Sequence, residues 1–438
     1  MEIDYTTLND LSILHTAEDV SVIDKINFCT TSGGREKLYQ NFCTPLSSIE
    51  AIQGVQKTLQ LILQKQTSWP KQISNGSVMV IEKFYSTTID EIPDQPSAWS
   101  TLAYKILHGP DFSFVKYSTE HAFDFLKGMT LLTEIFYSED CPPPFKKQLK
   151  RAIEILDRPE FEPVKNHNKS ADLSLRRQMP LAHFVRYRYK HNMQELLDIY
   201  YQLDAWYGMA MAVKTFGLSF PKFSTTQQPL LSVKGLYHLL LSQPVAYNIE
   251  LIPEKNFLFL TGANMAGKST FIKSVGTAVF MAHVGMGVPA QSMELSLFDG
   301  LLSNINVMDN ILRGESYFYN EVQRIKATVQ KISDGRHWLI LIDELFKGTN
   351  VQDAMKCSTA VIEGFLKIKT ATFILSTHLY EIGEPLRQYP NIRFNYFETS
   401  VDNDQLLFNY HLQEGISNDR LGYLILRNEG VVKMLQDL

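Results

Sequence analysis

The alternation of apolar and polar residues changes character along the chain. Between residues 8 and 63, apolar positions recur every three or four residues, a spacing typical of helices with one buried face. The signal is weaker between residues 69 and 169. From about residue 230 onward, short uninterrupted apolar runs alternate with helical stretches, as they do in α/β domains. The pattern predicts a largely helical first half followed by an α/β second half.

The clearest single helix is predicted for residues 192–215. Its apolar residues form a narrow stripe, which is typical of one long helix that packs on another. The stripe consists of Leu196, Ile199, Leu203, Trp206, Ala210 and Val213. We interpret the aromatic residues of this segment as core residues rather than as surfaces that stack on nucleic-acid bases.

Three apolar runs in the second half predict buried parallel strands, since both faces of such strands are covered. They occupy residues 257–260, 338–342 and 371–375. Glycine-rich or polar sequence follows each run directly. Open α/β sheets bind ligands at the carboxyl ends of their strands, so we expect a binding site at this edge.

The first of these predicted strands leads into a glycine-rich loop and then into a predicted helix at residues 269–283. The loop reads T-G-A-N-M-A-G-K-S-T, which contains the phosphate-binding pattern G-x-x-x-x-G-K-S. Its glycines let successive backbone N–H groups face a phosphate, and the helix N-terminus adds partial positive charge. The predicted ATP-binding residues of the loop are Gly262, Ala263, Asn264, Met265, Ala266, Gly267, Lys268, Ser269 and Thr270.

Five side chains near this loop have predicted chemical roles. Lys268 would place a cation between the β- and γ-phosphates, and the Ser269 hydroxyl would ligate Mg²⁺. Asp343 ends the second strand and would hold the same Mg²⁺ through its water shell, while Glu344 would polarise the attacking water. His378 follows the third strand, within reach of the γ-phosphate. Alone, such strand-end residues are more often ordinary surface residues, but their occurrence together with the loop favours catalysis by Glu344, His378 and Lys268.

Length and charge limit the function only broadly. A chain of 438 residues exceeds one typical core, so we expect two or three domains. Its net charge of −5 gives no overall basic field for nucleic acid. The polar start is no signal peptide, and no apolar segment is long enough for a bilayer, so we expect no membrane partner. Four cysteines without metal-binding spacing indicate a reduced, cytoplasmic protein.

A small basic cluster lies on another predicted helix. It comprises Lys146, Lys147, Lys150 and Arg151. Such charge runs are usually a solvated helix face, and contact with DNA is the alternative that the sequence leaves open.

The second half of the chain resembles the MutS family of ATPases, whose best-known members act in DNA mismatch repair. The glycine loop resembles the family's T-G-P-N-M-x-G-K-S-T, and D-E-L-F-K-G-T-N at residues 343–350 resembles D-E-L-G-R-G-T-S. Further matches, in the family's order, are V-P-A at 288–290, Asp309 with S-Y-F-Y-N-E at 316–321, S-T-H at 376–378 and Y-H-L-Q-E-G-I-S at 410–417. Together these matches cover nearly all of residues 230–430.

The first half resembles the same family more loosely. D-K-I-N at residues 24–27, T-S-G-G at 31–34 and T-P-L at 44–46 are similar to the start of the family's helical core domain. The resemblance implies an α plus α/β multidomain fold. A helical core and lever domain would span residues 1–222, with its clamp reduced or absent, and an ABC-type P-loop ATPase domain would span residues 223–438.

The resemblance also implies a function. Family members hydrolyse ATP with Mg²⁺ and work as dimers with two composite sites, so we expect a homodimer that associates with DNA in mismatch repair or recombination. Ser316 would then touch the partner's γ-phosphate, and Asn248 matches a family position near the nucleotide. Tyr247 would either stack on adenine or belong to the core.

The sequence departs from the family pattern in three places. The N-terminal domain that senses mismatches in some members has no counterpart here, so we expect a short form that lacks it. Ala263 replaces a proline of the glycine loop, and Phe346-Lys347 replaces Gly-Arg after the paired acids. These replacements leave the predicted catalytic groups intact.

Two other functions fit parts of the sequence. A nucleotide-gated interaction protein with little or no DNA binding agrees with the acidic net charge and with the expected absence of the mismatch-sensing domain. The ATP-binding subunit of an ABC transporter fits poorly, because no L-S-G-G-Q signature lies between the loop and the paired acids.

Overall fold

The computed structural model of the chain describes residues 1–14, 20–94, 98–226, 228–305, 317–402, 405–417, 427 and 430–436. The helices in these ranges, numbered in chain order, are α1 (Tyr5–Asp10), α2 (Val22–Ile26), α3 (Ser32–Cys43), α4 (Ile49–Gln64), α5 (Asn75–Ser86), α6 (Ala98–Leu107), α7 (Gly109–Phe136), α8 (Pro143–Leu156), α9 (Glu162–Asn166), α10 (Leu175–His183), α11 (Lys190–Phe216), α12 (Lys268–His283), α13 (Tyr317–Ile332), α14 (Val351–Phe365), α15 (Gly383–Leu386) and α16 (Val431–Gln436). The strands are β1 (Glu2–Ile3), β2 (Lys222–Phe223), β3 (Leu231–Leu236), β4 (Tyr247–Leu251), β5 (Phe257–Thr261), β6 (Ser292–Leu295), β7 (Gly300–Asn304), β8 (Trp338–Asp343), β9 (Ala371–Ser376), β10 (Ile392–Asp402) and β11 (Gln405–Glu414). In these ranges, no helix combines the length and the apolar character that crossing a bilayer requires.

The chain folds into two compact units. The sheet unit consists of Met1–Lys25, Thr44–Ile52 and Thr215–Leu438, and the helical unit consists of Ile26–Cys43 and Gln53–Lys214. This architecture confirms the predicted α plus α/β class. The family resemblance places all residues up to 222 in the helical domain, whereas the first 25 residues belong to the sheet unit.

The main sheet of the sheet unit has the strand order β1-β7-β8-β9-β5-β10-β11. Along this order, and within the described residues, neighbouring strands from β1 through to β10 pair parallel, whereas β10 and β11 pair antiparallel. Every residue of β5, β8 and β9 is buried, which confirms the three strands predicted from apolar runs. Ser376 lies in register with Asp343 of β8 and with Leu260 of β5. The three strands therefore end level with one another, and the residues after them meet at one edge.

Aromatic packing fixes α14 against this sheet. Phe373 stacks on Phe257 of the neighbouring strand at 5.6 Å between ring centroids, and Phe365 of α14 stacks on Phe373 at 4.8 Å. Burial of each such side chain contributes about 1.5–3 kcal/mol. Asn350 caps α14 by accepting a hydrogen bond from the Asp353 N–H at 3.0 Å.

The N-terminal segment completes the edge of this sheet. β1 pairs parallel with β7, and the Thr7 hydroxyl accepts a hydrogen bond from the Ser303 N–H at 2.9 Å. The buried Asp10 carboxylate accepts from the Ser303 hydroxyl at 2.5 Å and from the Ile305 N–H at 3.1 Å. Residues almost 300 positions apart in sequence therefore share one edge. A local sequence pattern carries no sign of this pairing.

In the helical unit, α7 and α11 are the longest elements, with 28 and 27 residues. All six residues of the predicted α11 stripe are buried. Trp206 of this stripe contacts Phe145 of α8 edge-to-face, with 5.9 Å between ring centroids. This confirms both the predicted helix and the interpretation of its aromatic residues as core.

A buried carboxylate closes the start of α3. Asp204 accepts hydrogen bonds from the backbone N–H and the hydroxyl of Thr30 at 3.0 and 2.8 Å, and from those of Thr31 at 2.8 and 2.7 Å. A Cβ atom at Gly34 would lie 2.1 Å from the Asp204 carboxylate, so only glycine fits there. The glycine-rich start of α3 thus serves internal packing in the helical unit.

Candidate functional site

The glycine loop joins β5 to α12 at the carboxyl edge of the sheet. Gly262 (φ 140°), Met265 (φ 70°) and Gly267 (φ 107°) have positive φ angles. The conformation of Gly267 strongly favours glycine, and a Cβ atom there would lie 3.2 Å from the Tyr410 ring. Among the described residues, no side chain caps α12. The backbone N–H groups of its first turn are therefore available to an anion.

Lys268 is the first residue of α12 and is only 5% exposed. Its ammonium donates to the backbone carbonyls of Gly262 and Ala263, at 2.8 and 2.9 Å. Burial lowers the pKa of this amine, and the nearby carboxylates of Glu344 and Asp343 act against that shift. The charge sits inside the loop, where it can attract a phosphate.

Asp343, the last residue of β8, links the first turn of α12 to the end of β9. The Ser269 hydroxyl donates to one of its carboxylate oxygens, and the Ser376 hydroxyl donates to the other. Both serines and the aspartate present oxygen atoms, the ligand type that Mg²⁺ prefers. The two predicted metal ligands, Ser269 and Asp343, are therefore in direct contact.

Glu344 lies at the start of the loop after β8, with a positive φ of 65°. The His378 Nδ1 lies 3.7 Å from one of its carboxylate oxygens, and the Lys347 Nζ lies 3.3 Å from the other. The His378 ring and then the Lys347 ammonium lower the pKa of Glu344 to about 2, against the opposing effect of burial. The carboxylate is thus held in its ionised form.

One cavity of about 620 Å³ connects these groups. Its size is typical of small-molecule sites. The lining residues are Leu241, Gln243, Val245, Tyr247, Asn264, Met265, Gly267, Lys268, Ser269, Thr270, Asp343, Glu344, Lys347 and Tyr410. The structure therefore brings most of the predicted loop residues and both paired acids to one wall of a cavity.

Several of these lining residues have no role that the sequence predicts. Leu241, Gln243 and Val245 precede β4, and Tyr410 comes from the β10–β11 hairpin with a positive φ of 57°. The sequence match at residues 410–417 was the available signal for Tyr410. Tyr247 is 5% exposed and contacts Phe271 and Phe397 edge-to-face, so it belongs to the core and also borders the cavity.

Of Asn248 and Ser316, the two predicted ATP-binding residues beyond the glycine loop, the structure describes only Asn248. The Asn248 side chain accepts a hydrogen bond from the Gly235 N–H of the neighbouring strand at 2.9 Å and supports the β3 bulge there. Its proposed proximity to a nucleotide stays a prediction. Ser316 lies outside the described residues.

The basic cluster on α8 is partly neutralised. Arg151 forms two hydrogen bonds to Glu195, at 2.5 and 2.8 Å, and contacts Glu154 at 3.2 Å. Lys146 lies 2.8 Å from a carboxylate oxygen of Glu139. These ion pairs favour the solvated-face interpretation of the cluster.

Known proteins contain regions similar to the part of the chain that forms this cavity. Residues 258–435 match MutS domain V. MutS protein homolog 4 from Homo sapiens is 30% identical over 245 residues, which make up 53% of this chain and 25% of that protein. DNA mismatch repair protein MutS from Petrotoga mobilis is 25% identical over 246 residues, or 56% of this chain and 30% of that protein.

The matched region contains the glycine loop, the paired acids and His378. Over this region the chain is similar to MutS-family proteins. The matches span less than a third of the length of these relatives.

Proposed function

We propose that this chain is a Mg²⁺-dependent ATPase of MutS type that acts as a DNA-associated homodimer in mismatch repair or recombination. The observation that carries the ATPase proposal is the common cavity of Lys268, Ser269, Asp343 and Glu344. Each of these residues has the chemistry that one part of a magnesium triphosphate needs.

The residues present fit ATP and Mg²⁺. Lys268 is a buried cation whose nearest bonded partners are neutral carbonyls, and Gly267 keeps the loop clear of a Cβ atom. The Ser269 hydroxyl and the Asp343 carboxylate would hold Mg²⁺, since the ion prefers hard oxygen ligands. When bound, Mg²⁺ would stabilise negative charge on the phosphates.

Different groups of the protein would then bind the nucleotide and activate the attacking water. The loop amides and Lys268 would bind and orient the triphosphate. The ionised Glu344 would orient and polarise the attacking water. His378, beside Glu344, would contact the same region and steady that carboxylate.

The proposed dimer and DNA contact are supported by the similarity to MutS-family proteins. We propose that ATP draws two copies of this chain together and that hydrolysis releases them, because γ-phosphate contacts are lost at that step. Ser316, outside the described residues, is our candidate for the contact between subunits.

The ATPase proposal is tested by calorimetric titration with Mg²⁺ and a non-hydrolysable ATP analogue, together with steady-state turnover. Lys268→Ala should weaken binding by about 100-fold or more, because a buried charge–phosphate contact is lost. Glu344→Gln should keep binding and lower kcat by about 100-fold or more. The exposed Lys367→Ala and Glu254→Gln serve as matched controls.

A wild-type chain that takes up no magnesium nucleotide would refute the proposal. Unchanged turnover in Glu344→Gln would show that another group activates the water.

A nucleotide-gated interaction protein is the second candidate. It is favoured by the net charge of −5 and by the ion pairs that occupy Arg151 and Lys146. A mobility assay with duplex, mismatched and branched DNA separates the two. DNA binding should weaken steeply as salt rises, because phosphate contacts release counterions. No retention on any of these DNAs at low salt would favour the second candidate.

A further inference from the structure

The loop after β8 carries two charged side chains to the cavity, Glu344 and Lys347. Its backbone is strained, because Glu344 (φ 65°) and Phe346 (φ 59°) both occupy the left-handed region that favours glycine. Non-glycine residues persist in this region only where the surrounding structure holds them. Something outside the loop must therefore fix its conformation.

Two residues of α13, Glu321 and Phe318, contact the loop and hold it in this conformation. Glu321 accepts a hydrogen bond from the Lys347 N–H at 3.1 Å and, with its other oxygen, from the Gly348 N–H at 3.3 Å. The Phe318 ring lies 5.6 Å from the Phe346 ring, measured between centroids. Helix α13 therefore secures both the backbone and the apolar side chain of the loop.

Glu321 is 5% exposed, so its carboxylate is removed from solvent. Burial raises the pKa of its carboxyl group, and the N–H donors of Lys347 and Gly348 oppose that shift. In the described part of the chain, the cavity lining does not include Glu321. Any influence of this carboxylate on the cavity has to pass through the loop.

The two groups of cavity residues depend on different elements. Lys268 and Ser269 lie on α12, whereas Glu344 and Lys347 lie on the loop that Glu321 holds. Loss of the Glu321 carboxylate would leave the Lys347 and Gly348 N–H groups without this acceptor and let the strained loop relax. The orientation of Glu344 would then change, whereas the conformation of the phosphate-binding loop would stay the same.

We propose that Glu321 is a positioning residue, whose two hydrogen bonds to the backbone of Lys347 and Gly348 aim Glu344 and Lys347 into the cavity. The inference rests on the proposed ATPase function of that cavity. It predicts a selective effect on turnover, whereas a purely structural Glu321 would affect stability and leave turnover per folded molecule unchanged.

The test compares wild type with Glu321→Ala, Glu321→Gln and the control Gln323→Ala, an exposed position on the same helix. Four quantities are measured: kcat and KM for magnesium ATP, the calorimetric Kd of a non-hydrolysable analogue, and hydrogen–deuterium exchange of peptides that cover residues 344–349.

For Glu321→Ala we expect a fall in kcat of about 30-fold, since small misplacements of catalytic groups have effects of this order. KM and Kd should stay within about 2-fold, because Lys268 and Ser269 are undisturbed. The amides of Lys347 and Gly348 should exchange faster. Glu321→Gln keeps one carbonyl acceptor and should recover part of kcat, and Gln323→Ala should match wild type.

A folded Glu321→Ala chain with wild-type kcat would overturn the inference, as would equal losses in kcat and in nucleotide affinity. If that variant does not fold, Glu321→Gln decides by the same criteria. A wild type that binds and hydrolyses ATP while both variants stay fully active refutes the positioning role alone. A wild type that takes up no nucleotide refutes the proposed function, and the positioning role with it.

Discussion

The N-terminus of α3 in the helical unit and that of α12 in the sheet unit are built from similar residues. α3 follows Thr30-Thr31 and starts with Ser-Gly-Gly, while α12 follows a glycine and starts with Lys-Ser-Thr. At α3, Asp204 of the same unit bonds to both threonines. At α12, the first turn faces a cavity of about 620 Å³.

Both helix starts attract negative charge for the same electrostatic reason, but the two units use that attraction differently. Backbone N–H groups and the helix dipole favour an anion at either position. An internal carboxylate meets that preference in one unit and stabilises the fold. In the other, the preference is left for a ligand. A glycine and hydroxyl pattern therefore indicates an anion position, and tertiary structure decides whether the protein fills it.

The largest expected effect comes from removing the internal anion. Asp204→Ala should lower the free energy of unfolding of the helical unit by about 4 kcal/mol, because four hydrogen bonds to a buried charge are lost together. Chemical denaturation followed by circular dichroism measures this. Asp198→Ala, at an exposed acid of the same helix, should change stability by less than about 0.5 kcal/mol. A small effect of Asp204→Ala would show that this carboxylate does not stabilise the start of α3.

The opposite end of α12 offers a pH test. His283 is fully buried, with its Nδ1 2.8 Å from the Val279 carbonyl and its Nε2 accepting from the Phe298 N–H at 3.1 Å. Burial lowers its pKa to about 4, below the 6.5 of an unfolded histidine. The unfolded chain thus binds the proton first as pH falls. Stability is full above pH 6.5, and about 3 kcal/mol is lost between pH 6.5 and 4.

Thermal unfolding of the sheet unit between pH 7 and 4 measures this loss. His283→Gln should flatten the pH dependence. Burial also lowers the pKa of His238 to about 4, so part of the dependence should remain. An unchanged profile in His283→Gln would show that this histidine is not the titrating group.

At the start of α12, which faces the cavity, Asp343 is the residue to change. Asp343→Asn should weaken binding of a magnesium nucleotide by about 100-fold, since an ionised ligand is lost, and should change the free energy of unfolding by less than about 1 kcal/mol. Calorimetric titrations with Mg²⁺ and with EDTA measure the difference. An effect that is equally large in EDTA would contradict the metal role. A large loss of stability would make Asp343 resemble Asp204.

The smallest effects come from two glycines. Gly34→Ala should destabilise the helical unit by about 2 kcal/mol, because the new methyl group would overlap the Asp204 carboxylate. A methyl group added at Gly364 in α14 would meet only open space, so Gly364→Ala should stabilise the sheet unit by about 0.5–1 kcal/mol. Urea midpoints compare the two. Equal effects would show that helix propensity, and not the carboxylate, governs position 34.

Local patterns predicted the centre of the site well. β5, β8 and α12 follow from apolar runs and from the spacing of the glycine loop, because strand, turn and helix preferences agree there. The edge position of Asp343 and Glu344 followed from the rule that parallel strands end together.

Other parts depend on contacts that no local pattern encodes. The 28-residue α7 gave a weak signal because it buries residues around much of its circumference, among them Phe123, Phe125 and Leu126. Tyr410 reaches the cavity only through the β10–β11 hairpin and a left-handed backbone angle. The two hydrogen bonds that Glu321 accepts from the loop after β8 join positions that are 26 and 27 residues apart in sequence.

The two-residue strand β1 has a practical consequence for anyone who produces this protein. It shields the outer edge of β7, and a bare strand edge is a template for pairing with other chains. Trimming the first few residues, or appending a bulky purification tag to them, should promote self-association. Tags and protease sites are therefore better engineered into an exposed turn, such as the one at Gly335 between α13 and β8.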